Sequence, residues 1–236
     1  MGLNHSKIRP LAGIKNLLVT GGRQKREIRA GLFHGLTLEI DLSYETQMLL
    51  GLYETETFGF IRSCAARTQW MVDVGAGAGE LAVYFLKRSQ SKSVYAFEPQ
   101  RSRTELLELN AGYNLSEREV GNRLLVYNKF VSDKINDDSV ALDALNLDPS
   151  QRGFLKVDVD GFELEVLRSG VEILKSGNVD ILIETHSLEL EQECESLLLD
   201  LGYKPQILRN AWWRLIIPER RPIEHNRWLV AYAFAR

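Results

Sequence analysis

The chain has 236 residues, 44% hydrophobic and 26% charged, with a formal net charge of −3, an ordinary balance for a globular protein. No apolar run approaches the ~18 residues needed to span a bilayer, and Lys15 splits the one apolar stretch near the start, "LAGIKNLLV", so neither a membrane span nor a signal peptide is expected. The two cysteines, Cys64 and Cys194, lack metal-type spacing; Cys194 falls in helical step with Leu190, Leu197, Leu198 and Leu201 and reads as core, as in a reduced, cytoplasmic protein.

In chain order, the first 30 residues carry Lys7, Arg9, Lys15, Arg23, Lys25, Arg26 and Arg29 against Glu27 alone, leaving the remainder acidic. Such an arm is either a solvated terminus or a contact for nucleic acid, a membrane surface or an acidic partner. The start "MGLNHS" fits a myristoylation pattern through Gly2 and Ser6. "GLFHGLTLEIDL" (31–42) reads as a small β-hairpin and "YETQMLLGLYETETFGFIRSCA" (44–65) as one or two helices. Residues 1–60 are therefore read as an N-terminal extension, and 61–236 as a single domain.

From residue 69, short apolar runs alternate with longer periodic segments, the pattern of a parallel α/β sheet. "QWMVDV" (69–74), "SVYAFE" (93–98), "NRLLVYNKFVS" (122–132), "GFLKVDV" (153–159) and "VDILIE" (179–184) read as five strands. Helices are expected through "GELAVYFLKRS", through "TELLELNAGYN", after the fourth strand with an apolar face of Phe162, Val166, Leu167, Ile173 and Leu174, and from an N-cap at Ser187. The tail segments "YKPQILRNAWWRLII" and "HNRWLVAYAFA" alternate as a terminal antiparallel hairpin would.

After the first strand, "VDVGAGAGE" (72–80) sets glycines at 75, 77 and 79. Glycines there let the backbone turn sharply and approach a ligand at a helix N-terminus. A dinucleotide site wants G-x-G-x-x-G so that pyrophosphate can rest on the helix end. Here the last glycine comes one residue early, and Asp73 would repel phosphate while attracting an amino group. That combination suits S-adenosylmethionine, which has a zwitterionic amino-acid end and no phosphate. Glu98, ending the second strand, can accept hydrogen bonds from both ribose hydroxyls, although that feature alone fits NAD equally well. Ser132 and Asp133, in "VSD", are candidates to read an adenine amino group; a Ser-Asp pair after a strand is also an everyday turn.

With "GLYETE" (51–56), "VDVGAGAGE" (72–80), "VYAFEPQ" (94–100), Asn110, "VSD" (131–133), "ALDAL" (141–145), "FLKVDVDGFELEVLRSG" (154–170) and "LIETHS" (182–187), the chain resembles class I S-adenosylmethionine-dependent methyltransferases, and specifically the FkbM family, over roughly residues 50–205. It departs from the family's habit at Ala78, often Asn, and at Asp160, often Glu. The resemblance implies a Rossmann-like domain whose seven-stranded sheet is mostly parallel with an antiparallel last strand. It implies a cofactor set of Glu54, Asp73, Gly75, Ala76, Gly77, Glu98, Pro99, Ser132, Asp133 and Asp158. Family members are associated with O-methylation of sugars and natural products, so no single acceptor carries over.

Ligands in open α/β sheets bind beyond the carboxyl ends of the strands, which points to Asp158, Glu184 and His186 for the chemistry. Asp158 reads as a base or as an orienting contact to the cofactor's methionine end, or else as a structural carboxylate. His186 has the right unperturbed pKa for a base, though a loop histidine is as often inert. Asp160 with Glu163 reads as an aspartate version of a capping box, and Lys156 as the partner of a carboxylate. Asp158, Glu184 and His186 could also hold Mg²⁺, although no spacing demands it. "LRNAWWRLIIPERRPIEHNRW" (208–228) carries five arginines and three tryptophans, a packed hairpin or a surface for stacking bases. The expected protein is a cytoplasmic methyltransferase acting on an oxygen of a small molecule or glycan. Its rivals are an RNA or protein methyltransferase using the basic arm, a non-catalytic module with the same fold, and an NAD-dependent oxidoreductase.

Overall fold

A computed structural model describes residues 22–43, 45–210 and 225–234. The "MGLNHS" start, the first three basic residues of the arm and most of the Arg/Trp segment (211–224) lie outside them. The chain divides into two compact units, Met1–Tyr53 and Glu54–Arg236.

In the first unit β1 (Arg23–Glu27) pairs antiparallel with β2 (Thr37–Asp41), Arg23 opposite Asp41. The hairpin is wider than the expected 31–42. Residues 28–36 form its loop, closed by Ile28 N–H to the Leu36 carbonyl at 2.8 Å and Gly35 N–H to the Ile28 carbonyl at 2.9 Å. The charged run "RQKRE" hides its strand character because it pairs along its backbone and through charge: Arg23 bridges Glu45 at 3.0 Å. In β2, Leu38 and Ile40 point inward, the period-2 pattern of a sheet with one buried face.

The second unit opens with a helix at Phe58–Ala65. It then builds a seven-stranded sheet from β3 (Trp70–Val74), β4 (Ser93–Phe97), β5 (Leu124–Tyr127), β8 (Gly153–Val157), β9 (Val179–Thr185), β10 (Gln206–Leu208) and β11 (Arg227–Ala231). Their spatial order is β10-β11-β9-β8-β3-β4-β5. All neighbours pair in parallel except β11, which runs antiparallel to both β9 and β10. Every residue of β3, β8 and β9 is buried, as expected for central strands covered on both faces. The chain starts at the centre with β3, winds outward through β4 and β5, then crosses back to β8. The boundary between β3 and β8 is therefore the topological switch point, where open α/β sheets bind ligands.

Two expectations need correction. The run 122–132 is not one strand: Tyr127 ends β5, while β6 (Phe130–Val131) pairs with β7 (Ser139–Val140) in a separate two-stranded sheet. The helix after β8 is two, Glu163–Arg168 and Val171–Lys175, broken at Gly170. Phe162 precedes the first of them and is 61% exposed instead of joining the apolar face. Cys194 is fully buried, and Ser187 caps its helix by accepting the Leu190 N–H at 3.1 Å.

At the amino edge of β9, Asp180 is fully buried and accepts from Arg67 (3.1 Å), Arg152 (3.0 Å) and the Ala233 N–H (2.9 Å). One carboxylate thus ties the approach to β3, the approach to β8 and the tail after β11. Asp180→Ala strands both guanidinium groups and should lower the unfolding free energy in urea by about 3 kcal/mol, the usual cost of breaking a buried ion pair.

Candidate active site

Strand β3 carries Asp73 toward the carboxyl edge, and the chain then turns through Gly75, Gly77 and Gly79 at φ 76°, 57° and 83°. A Cβ at Gly75 would lie 1.8 Å from the Asp158 carbonyl oxygen, so only glycine lets the exits of β3 and β8 come this close. The N–H groups of Gly75 and Ala76 both donate to the Phe97 carbonyl at 2.9 Å, locking the turn to β4. Glu98, immediately after β4, accepts from Gly77 N–H (3.0 Å) on one oxygen and Gln100 N–H (2.9 Å) on the other. A carboxylate oxygen has a second lone pair, so both oxygens of Glu98 remain able to accept from a ligand. From the end of β5, Asn128 donates to the carbonyls of Glu98 (2.9 Å) and Pro99 (2.7 Å), fixing the backbone that carries the carboxylate.

Lys156 reaches this turn from β8, where it stands in register with Asp73. Its ammonium donates to the Gly75 carbonyl at 2.7 Å and lies 3.1 Å from Asp158 and 3.5 Å from Asp73. Burial disfavours its charge, but Asp158, Asp73 and Glu54 outweigh that, and its pKa rises above the ordinary lysine value. Asp73 is 1% exposed, and its Oδ1 has no hydrogen-bond partner. Burial is the main force raising its pKa, against the pull of Lys156. Glu54 adopts a left-handed conformation at φ 50°, unusual for a residue with a side chain.

Asp158, Glu184 and His186 come together, with donor atoms within 4.8 Å of one another. Burial opposes ionisation of Asp158, yet Lys156 and a hydrogen bond from Glu184 bring its pKa below the usual carboxylate range. The proton that Asp158 gives up is kept by Glu184, whose pKa burial and the Asp158 and Glu54 charges push up to about 10. These oxygens and the imidazole could accept a divalent cation, but the Lys156 ammonium already supplies compensating charge beside Asp158.

His186 follows β9 and is largely buried. Its Nδ1 lies 2.5 Å from Glu163 and its Nε2 3.4 Å from Asp160, which is 81% exposed. The Glu163 hydrogen bond is the largest influence on its pKa, raising it in spite of burial. The Asp160–Glu163 capping box is therefore not formed: the N-cap residue is Phe162, no side chain caps the helix, and Glu163 turns to His186 instead. Ser132 and Asp133 follow β6 outside the main sheet; the Ser132 hydroxyl accepts the Lys134 N–H at 3.1 Å in a tight turn. Asn128 and Glu163 are the site residues that sequence reasoning passed over. Asn128 could have been found from its place directly after β5, and Glu163 only from its contact across 23 positions with His186.

Residues 113–205 match the family described as Methyltransferase FkbM domain. That match covers 93 of the chain's 236 residues. A methyltransferase FkbM from Methylobacillus flagellatus KT is 19% identical at a TM-score of 0.57, over 70% of this chain and 44% of that one, so this chain spans less than half of that protein. A precorrin-6y C5,15-methyltransferase from Geobacter metallireducens GS-15 is 17% identical at 0.50, over 77% of this chain and 90% of that chain. An S-adenosylmethionine-dependent O-methyltransferase from Thermotoga maritima is 15% identical at 0.50, over 78% and 67%. At these identities the likeness is one of fold. No curated protein sequence matches. The FkbM segment contains Lys156, Asp158, Glu163, Glu184 and His186, whereas Asp73, the glycine turn and Glu98 lie upstream of it.

The FkbM segment's shared proton gives a pH signature. Glu184 keeps its proton in the folded protein up to about pH 10, while the unfolded chain releases it near the ordinary value of 4.5. Across that window the folded state binds more protons, so this group's stabilisation is present at low pH and declines as pH rises. Glu184→Gln keeps a donor toward Asp158 and has no proton to lose. Its melting temperature relative to wild type should therefore climb steadily from acid to alkaline pH.

Proposed function

We propose that this protein is an S-adenosylmethionine-dependent methyltransferase that methylates an oxygen of a small molecule or glycan. The observation that carries the reading is Asp73, a buried carboxylate whose Oδ1 makes no hydrogen bond and has only the Lys156 ammonium 3.5 Å away, next to a turn of alternating glycines at the switch point of the sheet. A buried acceptor that makes no hydrogen bond is costly, and a cofactor's ammonium would supply one beyond the looser Lys156 ion pair. Around it, Asp158 and Glu54 add negative charge that Lys156 alone does not balance. Such a pocket favours a cationic ligand and disfavours the pyrophosphate of NAD. Asp73 and the turn would hold the amino-acid end, and Glu98 the ribose hydroxyls. Pro99 and the Ser132–Asp133 turn are assigned to the adenine side.

S-adenosylmethionine supplies an electrophilic methyl group on a sulfonium. The acceptor oxygen must lose a proton as its bond to carbon forms, and three residues divide that work. Glu184, protonated at neutral pH, donates and cannot serve as base. Asp158, ionised and paired with Lys156, is a weak base suited to orienting the acceptor or the cofactor's methionine end. That leaves His186, whose hydrogen bond to Glu163 raises its pKa above the ordinary imidazole value and so its strength as a base, and Nε2 of its neutral imidazole is the group to receive the proton. Most of the rate would come from alignment, and the base would add 10²–10⁴-fold as an order of magnitude.

The nucleic-acid alternative draws on the exposed basic strand Arg23–Glu27 and on segments outside the described residues. No helix among the described residues is long and apolar enough to cross a membrane.

Calorimetry with S-adenosylmethionine, S-adenosylhomocysteine and NAD tests the reading. The first two should bind and NAD should not, and Asp73→Ala and Glu98→Ala should each weaken binding by about 1–3 kcal/mol. Binding of NAD alone, or unchanged affinity in both variants, would sink it. Turnover unaffected by a chelator is expected, since no assigned role needs a metal.

A further inference from the structure

We propose that Glu163 is a positioning residue for His186, fixing the imidazole tautomer and orientation that leave Nε2 to take the acceptor's proton. The proposal rests on the methyltransferase reading, in which His186 is the base. Its foundation is geometric. Glu163 opens the helix Glu163–Arg168 and is fully buried. One carboxylate oxygen lies 2.5 Å from His186 Nδ1, and the other has no hydrogen-bond partner. A carboxylate can only accept, so the bond requires the proton on Nδ1 and, in the neutral imidazole, leaves the lone pair on Nε2. Nε2 in turn lies 3.4 Å from Asp160, and a ring nitrogen of His186 belongs to the cluster with Asp158 and Glu184.

A merely structural account fits poorly. A helix start wants a side chain that caps backbone N–H groups, and Glu163 caps none. Tethering the helix to β9 would need a hydrogen bond, not a buried charge, and a buried charge is expensive unless its partner is charged too. The expense has a use if the carboxylate steadies an imidazolium that forms during proton abstraction. The groups facing this pair are Asp160 from the loop after β8, Asp158 at the β8 exit, Glu184 on β9 itself and Cys194 from the helix Leu188–Asp200. Of these Glu184 is protonated, and the Cys194 thiol, buried and pushed up to about 12, is neutral. Asp158 is neutralised by Lys156 and Asp160 is in solvent, which leaves Glu163 as the dominant control.

The test uses the full chain and needs no acceptor. Diethylpyrocarbonate carbethoxylates neutral imidazole, and peptide mass spectrometry separates His186 from the other three histidines. Its rate at His186 is followed against pH in wild type, Glu163→Gln and Glu163→Ala. The glutamine variant keeps an acceptor for Nδ1–H and so the tether. With the charge gone, its reactivity midpoint should move to lower pH, and modification just below neutrality should rise by roughly twofold or more. Long-range ¹H–¹⁵N spectra should show Nδ1–H in wild type and a mixture of tautomers in Glu163→Ala. An unmoved midpoint in Glu163→Gln, or an Nε2–H tautomer in wild type, overturns the proposal. S-adenosylmethionine binding, measured on the same samples, should be equal in wild type and Glu163→Gln because Glu163 is outside the cofactor set. Loss of binding in the variant would make Glu163 part of the cofactor site and overturn its assignment to His186. If wild type fails to bind while the midpoint still shifts, the methyltransferase reading falls but the Glu163–His186 coupling stands.

Discussion

The arrangement depends on one buried ammonium. Lys156 sits in the middle of a fully buried strand, a position that normally takes an apolar side chain, and is tolerable only because three acceptors surround it: Asp73, Asp158 and the Gly75 carbonyl. Those three belong to the end of β3, the start of the glycine turn and the exit of β8. Lys156 therefore joins the two strands that flank the switch point. It also sets the conformation of the turn, since its bond to Gly75 fixes the carbonyl that would otherwise point into an apolar interior. The close packing of Gly75 on Asp158 completes the joint from the other side.

From that pin the charge states of the remaining groups follow in order. Lys156 stabilises the ionised form of Asp158, and an ionised Asp158 makes ionisation of its neighbour Glu184 unfavourable, so Glu184 stays protonated. Like charges in a shared site part in this way, one carboxyl low and the other high. His186 is tuned chiefly by a different carboxylate, Glu163, which is bonded to Nδ1. The site thus has two electrostatic modules: one that fixes a negative charge beside the turn, and one that sets the basicity of a ring nitrogen. They meet at the gap among Asp158, Glu184 and His186.

The part of this visible in sequence is the part built by neighbours in the chain. Strand, glycine turn and helix follow one another from Trp70 to Arg88, so this part of the fold, with the carboxylate at the strand end, could be read from "VDVGAGAGE" and Glu98. The pairing of Lys156 with a carboxylate was legible because an isolated lysine in an apolar strand has few other options. Glu163 was misread because D-x-x-E before an apolar run carries the spacing of a capping box, and nothing local reveals that the side chain turns toward a histidine in another strand. Phe162 was misassigned for a related reason: helical periodicity extends through it, but the helix begins one residue later. The run 122–132 was drawn as one strand because the apolar pattern continues past Asn128, whose side chain leaves the strand to bond the Glu98 backbone.

The two modules would also separate binding from turnover. Methyl transfer converts a sulfonium cation to a neutral thioether, so a pocket whose acidic groups outnumber its one lysine loses an attraction at the moment product forms. In the proposed reaction the proton released by the acceptor would pass to His186, whose Nε2 lies 3.4 Å from Asp160 at the surface. The positive charge in the site would then be moved from the cofactor toward solvent, not created or destroyed. Glu184 must hold its proton throughout, because ionising it would add a second negative charge beside Asp158 and strengthen the grip on any cation. On the proposed reaction, a protonated carboxyl at that position would keep the field around the reacting atoms constant while one charge passes from sulfur to imidazole, a use for a costly buried glutamic acid where a leucine would pack more cheaply.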